Sequence, residues 1–212
     1  TYISITGADM NPSLNKQKVL LNKPLFVNKG DILYLSHSLN GMRSYLGIKG
    51  GFNSEKKLGS KSFYKGITQR EKLIKNDKIK FDLSPISPKK LNQKINDLKI
   101  MRNSKIRVYK GPEFDLLDTI SKDLIFNTNF TIGINNRMGY NLVETIKNSI
   151  SSIVSSPVMP GTVQLTPSGR LIVLCRDCQT TGGYPRILQL DKNSINCLSQ
   201  KTIGEIVNFK LV

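Results

Sequence analysis

A mainly β fold with a few short helices, split into two β-rich parts, follows from three features of the sequence. Short segments rich in Val, Ile, Thr and Tyr alternate with Gly, Pro, Asn and Asp turn signals at close spacing. One run, Leu171-Ile172-Val173-Leu174-Cys175, is continuously apolar, as expected of a strand buried on both faces. A stretch over 83–104 carries Pro85, Pro88, Lys89, Lys90, Lys94, Lys99 and Arg102, and separates a strand-rich sub-domain at 1–82 from a second at 105–212.

Taken in order, residues 2–6 alternate as a strand and Gly7-Ala8-Asp9 is expected to turn. Short β segments are predicted at 18–21 and 24–27. Asn28-Lys29-Gly30-Asp31 forms a tight turn into a strand at 32–35, and a strand at 44–48 runs into Lys49-Gly50-Gly51. Strands this closely spaced suggest a barrel or sandwich. In the basic connector, Leu91, Ile95, Leu98 and Met101 fall at helical spacing, so a short helix is possible there.

The second part starts with the strand Ile106-Arg107-Val108-Tyr109. Gly111-Pro112 then opens a predicted helix over 113–124, with Pro in its first turn, acidic residues near its start, and Phe114, Leu117, Ile120 or Leu124 as its apolar face. A strand at 130–134 delivers Asn135-Asn136-Arg137-Met138-Gly139. Over 140–156 the Ser, Thr, Ile and Val content favours two strands around Lys147-Asn148-Ser149 over a helical stripe at Leu142, Ile146, Ile150 and Ile153. Strands at 162–166 and 171–175 are bracketed by the turn signals Pro160-Gly161 and Pro167-Ser168-Gly169. Residues 191–198 read as a short capped helix and 206–209 as a closing strand.

Composition narrows the function. With 38% apolar and 22% charged residues, the chain is globular, and no apolar run is long enough to span a bilayer. The net charge of +17 would suit an anionic partner, but lysines dominate without interleaved aromatics or a recognition motif, so a solvated basic surface is expected and nucleic acid is not. Three cysteines point to a reducing, cytoplasmic compartment. Cys175-Arg176-Asp177-Cys178 is a C-x-x-C that lacks a second pair at zinc spacing, and the single His37 is remote, so no metal is expected and Cys175 reads as a small buried hydrophobe. One histidine also argues against a Ser-His-Asp or Cys-His site, and no phosphate-binding loop is present.

What remains is a polar loop at the exit of the buried strand. Gln164, Gln179, Thr180, Thr181, the Gly182-Gly183 backbone and Tyr184 offer amides and hydroxyls, with Arg137, Asp177 and Arg186 as charges. Such groups suit a planar amide, urea or lactam whose carbonyl is polarised by preorganised donors. Arg137 or Arg186 could hold a carboxylate or acyl-phosphate through two bonds. Each has a plainer reading: Gln164 and Thr166 as solvent-facing strand residues, Asp177 paired with Arg176, Gly182-Gly183 as a turn, Tyr184-Pro185 as a core edge.

The order of motifs resembles one bacterial family. Pro160-Gly161-Thr162-Val163-Gln164, Pro167-Ser168-Gly169, Asp177 and Gln179-Thr180-Thr181-Gly182-Gly183-Tyr184-Pro185 are similar to the signature of the biotin-dependent carboxyltransferase or allophanate-hydrolase subunit 2 type, which includes the C-type subunit of 5-oxoprolinase. Asn136-Arg137-Met138-Gly139-Tyr140-Asn141-Leu142 and Gly111-Pro112 match further motifs. In the first half so do Thr6-Gly7-Ala8-Asp9, Gly30-Asp31, Arg43-Ser44-Tyr45-Leu46, Gly50-Gly51 and Leu58-Gly59-Ser60-Lys61-Ser62.

The resemblance implies a cyclophilin-like β-barrel in the second half. It further implies the role of the C-type subunit in an ATP-dependent 5-oxoprolinase that opens 5-oxoproline to glutamate. Partners would be 5-oxoprolinase subunits A and B, the B-type subunit sharing the substrate site. ATP would belong to the complex and no cofactor to this chain; catalytic roles would fall on Arg137, Asp177 and Gln179, and substrate binding on Gln164, Thr180, Thr181, Gly182, Gly183, Tyr184 and Arg186. Two alternatives come with the family: carboxyl transfer from carboxybiotin to a urea or amide, and non-catalytic antagonism of a kinase inhibitor. Family members usually begin with a segment carrying Gln-Asp-Gly-Arg. Nothing here matches it, and Thr1 starts directly in strand-like alternation, as in a chain cut partway in or a short member.

Overall fold

The computed structural model of the chain describes residues 1–83 and 104–212. It divides into two compact units, Thr1–Leu39 with Ser44–Leu98, and Asn40–Arg43 with Lys99–Val212. The basic connector expected over 83–104 lies, apart from its two end residues, outside the described residues.

The first unit is built of short strands: β1 (Tyr2–Asp9), β2 (Ser13–Leu14), β3 (Gln17–Lys18), β4 (Leu25–Phe26), β5 (Leu33–Tyr34) and the larger part of β6 (Asn40–Ile48). They form two three-stranded sheets, ordered β4-β1-β6 and β3-β2-β5. The turn expected at Gly7-Ala8-Asp9 is not there; β1 runs through it. Gly7, with φ of 88°, shifts the burial phase, so that inward positions pass from Ile3 and Ile5 to Ala8. The turn at Asn28 to Asp31 forms as expected: the Asp31 carboxylate accepts from Asn28 N at 2.7 Å, and that bond together with one from Asn15 lowers its pKa.

The second unit is a closed barrel. Its strands are β7 (Lys105–Lys110), β8 (Phe130–Asn135), β9 (Gly139–Thr145), β11 (Thr162–Leu165), β12 (Arg170–Leu174), β14 (Arg186–Leu190) and β15 (Ile206–Leu211), with a separate pair of β10 (Ser156–Pro157) and β13 (Thr181–Gly182). Around the barrel the order is β11-β12-β9-β8-β15-β7-β14, closed by β11 on β14. Of the barrel's ladders, the one between β15 and β7 is parallel and the others are antiparallel. Alternating residues fill the interior: Ile106 and Val108, Phe130 and Ile132, Tyr140 and Leu142, Val163 and Leu165, Leu171 and Val173, Ile187, Val207 and Phe209 form one apolar cluster. The barrel expected for the second half is therefore present, and closure leaves its strands without free edges.

Two expectations are corrected. The helix predicted over 113–124 is a 3-10 turn at Phe114–Leu116 followed by α1 at Thr119–Asn127. Leu117 is extended and breaks the run, and Asp118, whose side chain accepts from Ser121 N at 2.6 Å, supplies the N-cap that starts α1. The buried face is consequently Phe114, Leu117, Ser121 and Ile125, while Ile120 is 73% exposed. In 140–156 the first strand is β9, but the second is only the two residues of β10. The helix expected near 191–198 is α2 (Lys192–Leu198), capped by Asp191 through Ser194 N at 2.7 Å.

Asn40–Arg43 belongs to the second unit because Gln200 acts as its pairing edge. Gln200 Oε1 accepts from Met42 N and Arg43 N at 2.9 Å each, and its Nε2 donates to Arg43 O at 3.0 Å. The Arg43 guanidinium donates to the Tyr140 hydroxyl at 2.5 Å and to Ser199 O, and lies 5.6 Å from the Tyr140 ring centroid.

Candidate functional site

The adjacent strands β11, β12, β9 and β8 form one wall of the barrel, and at one end of that wall the β8–β9 turn lies beside the exit of β12. Asn136 makes the β8–β9 turn: its Oδ1 accepts from Met138 N at 2.8 Å and Gly139 N at 3.1 Å. That turn is tied to the exit of β12 by Cys175 N to Met138 O (2.8 Å), Asp177 N to Arg137 O (3.1 Å) and an Arg137 Nε–Asp177 Oδ2 ion pair of 2.6 Å.

Gln164 stands at the centre. It is 1% exposed, not solvent-facing, and Thr162 and Thr166 on the same stretch are also buried. Its neighbours Val163 and Leu165 fill the barrel interior, so Gln164 projects from the outer face of the wall. It is buried there because the loop after β12 lies over it, with Gln179 bonded to its Oε1 and Gly182 against its Nε2. Across the ladder Gln164 pairs with Ile172, and Ile172 with Asn141, so three neighbouring strands place these side chains in one row. Gln179, from the loop after β12, donates through Nε2 to Gln164 Oε1 at 3.3 Å.

This row forms the floor of a pocket of ≈ 250 Å³ whose walls are Ile134, Asn135, Met138, Leu174, Gln179 and Tyr184. Two buried atoms of its lining have no hydrogen-bond partner: Gln164 Nε2, a donor, and Asn135 Oδ1, an acceptor. Gly182 makes room for the Gln164 amide, since a Cβ there would lie 2.5 Å from Gln164 Nε2. Glycine is needed at this position for the close approach and not for a turn, as it lies in β13 paired with β10.

Among the residues expected to carry function, Gln164, Gln179 and Tyr184 are brought together in the lining. Arg137 and Asp177 pair with each other beside it, with the Arg137 side chain 61% exposed. Thr180, Thr181 and Gly183 hold the neighbouring β10 segment: Val158 N donates to Thr180 O at 3.0 Å and Ile153 N to Gly183 O at 2.9 Å. Arg186 is committed elsewhere. Its Nη2 and Nε bond the two Glu113 carboxylate oxygens at 2.7 and 2.9 Å, and its Nη1 donates to Pro157 O at 2.9 Å. These bonds hold the Glu113 carboxyl below its ordinary value and raise Arg186. Sequence reasoning missed Asn135 and Asn141 as pocket residues; the clue was the Asn-rich turn between two strands of opposite direction. Cys175 is buried, which pushes its thiol up to about 11 and removes it as a ready nucleophile. Among the described residues no His, Cys, Asp or Glu cluster could hold a metal ion, and no helix is long and apolar enough to cross a membrane.

Comparison with known proteins places this geometry. The chain is 32% identical to the C subunit of 5-oxoprolinase from Escherichia coli K12 over 98% of its own length and 68% of that protein's. The crystal structure of TTHA0988 superimposes with a TM-score of 0.85 at 23% identity, over 99% of this chain and 41% of that one. The K. lactis urea amidolyase structure gives 0.81 at 22%, over 98% of this chain and 14% of that one. The chain thus spans less than half of either solved structure, and at these identities the two speak for the fold alone. Residues 1–211 match the family described as carboxyltransferase domain, subdomain A and B, and the chain belongs to that family.

Proposed function

We propose that this chain is the C-type component of an ATP-dependent 5-oxoprolinase complex, contributing one wall of a substrate site completed by a B-type partner subunit. The observation that carries this reading is the pocket on the outer face of the barrel wall, where three of the expected polar residues converge in a relative of a protein named for the C subunit of 5-oxoprolinase. In this reading ATP is held by another subunit of the complex. When bound to the complex, ATP supplies activation of the lactam carbonyl. The residues here bind and orient that carbonyl, with Gln179 and Gln164 as aligned amide donors and Tyr184 closing the side of the pocket. Arg137 and Asp177, paired at 2.6 Å, hold the β8–β9 turn in register with the β12 exit.

The test is ATP-dependent glutamate formation from 5-oxoproline by the reconstituted complex, with and without this subunit. Activity is expected to need it, and Gln179→Ala is expected to lower turnover about 100-fold, the scale of losing one aligned donor. Unchanged turnover on omission, with the partner complex still forming, would transfer the chain to the regulatory role. The family's description favours a second reading, carboxyl transfer from a carboxybiotin carrier, which the same assay separates by its requirement for the carrier.

A further inference from the structure

The two unpartnered atoms in the pocket are of opposite kind. Gln164 Nε2 can only donate and Asn135 Oδ1 can only accept; each is shielded from solvent, so each carries the penalty of an unmade hydrogen bond until something supplies it. The pocket's lining is also uncharged. Amides, apolar side chains and one tyrosine make it up, with no acid or base, in a chain of net charge +17. The two arginines expected at the site are neutralised, Arg137 by Asp177 and Arg186 by Glu113.

A donor and an acceptor set in an uncharged, partly apolar cup match a neutral N–C=O group, whose oxygen accepts while its nitrogen donates. They do not match a carboxylate or phosphate, which would bring charge into a site with no cation and leave Asn135 Oδ1 facing a second acceptor. We propose that Asn135 is a substrate-binding residue of this site. With Gln164 it reads an uncharged cyclic amide or ureido face, the carbonyl oxygen taking the Gln164 Nε2 proton and the ring N–H donating to Asn135 Oδ1. Any carboxylate on the substrate stays outside the pocket. Gln179, which lines the same pocket, bonds Gln164 Oε1 at 3.3 Å and has an exposed side chain, so it can move aside as a ligand enters. This assignment rests on the reading of the pocket as the substrate site.

The probes are 2-pyrrolidinone, a neutral lactam, 2-imidazolidinone, a cyclic urea, and succinate as the anionic control, titrated into the full chain by NMR. Saturable shifts of the Gln164 and Asn135 side-chain amides are expected with a neutral ring and not with succinate. Preference for pyrrolidinone points to a lactam, preference for imidazolidinone to a ureido group. Asn135→Ala is expected to weaken the neutral probe at least about tenfold, the scale of one buried hydrogen bond, with unchanged melting. Asn135→Asp, which keeps an acceptor but adds charge, is expected to weaken it too. Succinate binding as tightly as the rings, or a fully binding Asn135→Ala, would overturn the assignment. Saturable lactam binding by a subunit that the complex does not need for glutamate formation would instead remove the oxoprolinase reading and leave the pocket assignment standing. A required subunit whose Asn135→Ala form turns over as wild type would do the reverse.

Discussion

Glu113 and Arg186 show how one residue pair can be mistaken for a site. From sequence, Arg186 at the end of the Gly-Gly-Tyr-Pro stretch reads as an anion clamp; in the fold it already has its anion, with both side chains largely buried and four bonds committed. Removing the acid would leave a guanidinium without a counter-charge in a sparsely solvated place, so Glu113→Ala is expected to cost about 2–4 kcal/mol at neutral pH, read by denaturant unfolding. The sign with pH follows from the lowered Glu113 value. Its contribution is complete above the ordinary carboxyl value of 4.5 and is lost as pH falls below that through the folded value, so the gap between wild type and variant should close in acid. Gln164 misleads in the opposite direction. Alternation along 162–166 points it outward, as the fold does, but nothing in the residue types announces that the loop carrying Gln179 and Gly182 folds back over it and buries it.

At the level of elements, most barrel strands were legible because they carry their own apolar periodicity, and α2 because Asp191 is a recognisable cap, whereas β14 (Arg186–Leu190), directly after the Gly-Gly-Tyr-Pro loop, was not read as a strand. Boundaries failed where a local device outweighed the pattern: Leu117 and Asp118 moved the start of α1, and Gly7 carried β1 through an expected turn. Wholly silent in the sequence was Gln200, a side chain that replaces a strand edge for residues 42 and 43. Because it serves two backbone N–H groups and one carbonyl, Gln200→Ala is expected to destabilise the second unit by about 1–3 kcal/mol and to speed amide exchange at Met42 and Arg43 before any other part of β6.

For the molecule as a whole, closure of the barrel depends on its last strand. β15 is the bridge between β7, which it meets in parallel, and β8, which it meets antiparallel, and it brings Val207 and Phe209 into the interior. A chain ending at Glu205 is therefore expected to lose the cooperative unfolding transition altogether, not merely lower its midpoint, as checked by thermal melting with near-ultraviolet circular dichroism. The pocket on the barrel wall would go with it, since β8, which carries Asn135, pairs directly with β15. The clasp on Arg43 has a different consequence, one of genetic layout. The barrel unit is encoded in two separate pieces of the message, so no fragment confined to the second piece carries all of it. A fragment beginning at residue 104 would have to receive Asn40–Arg43 back as an added peptide, and whether that peptide restores the native spectrum of Tyr140 would report directly on how much of the barrel's order is borrowed from a stretch of chain translated long before it.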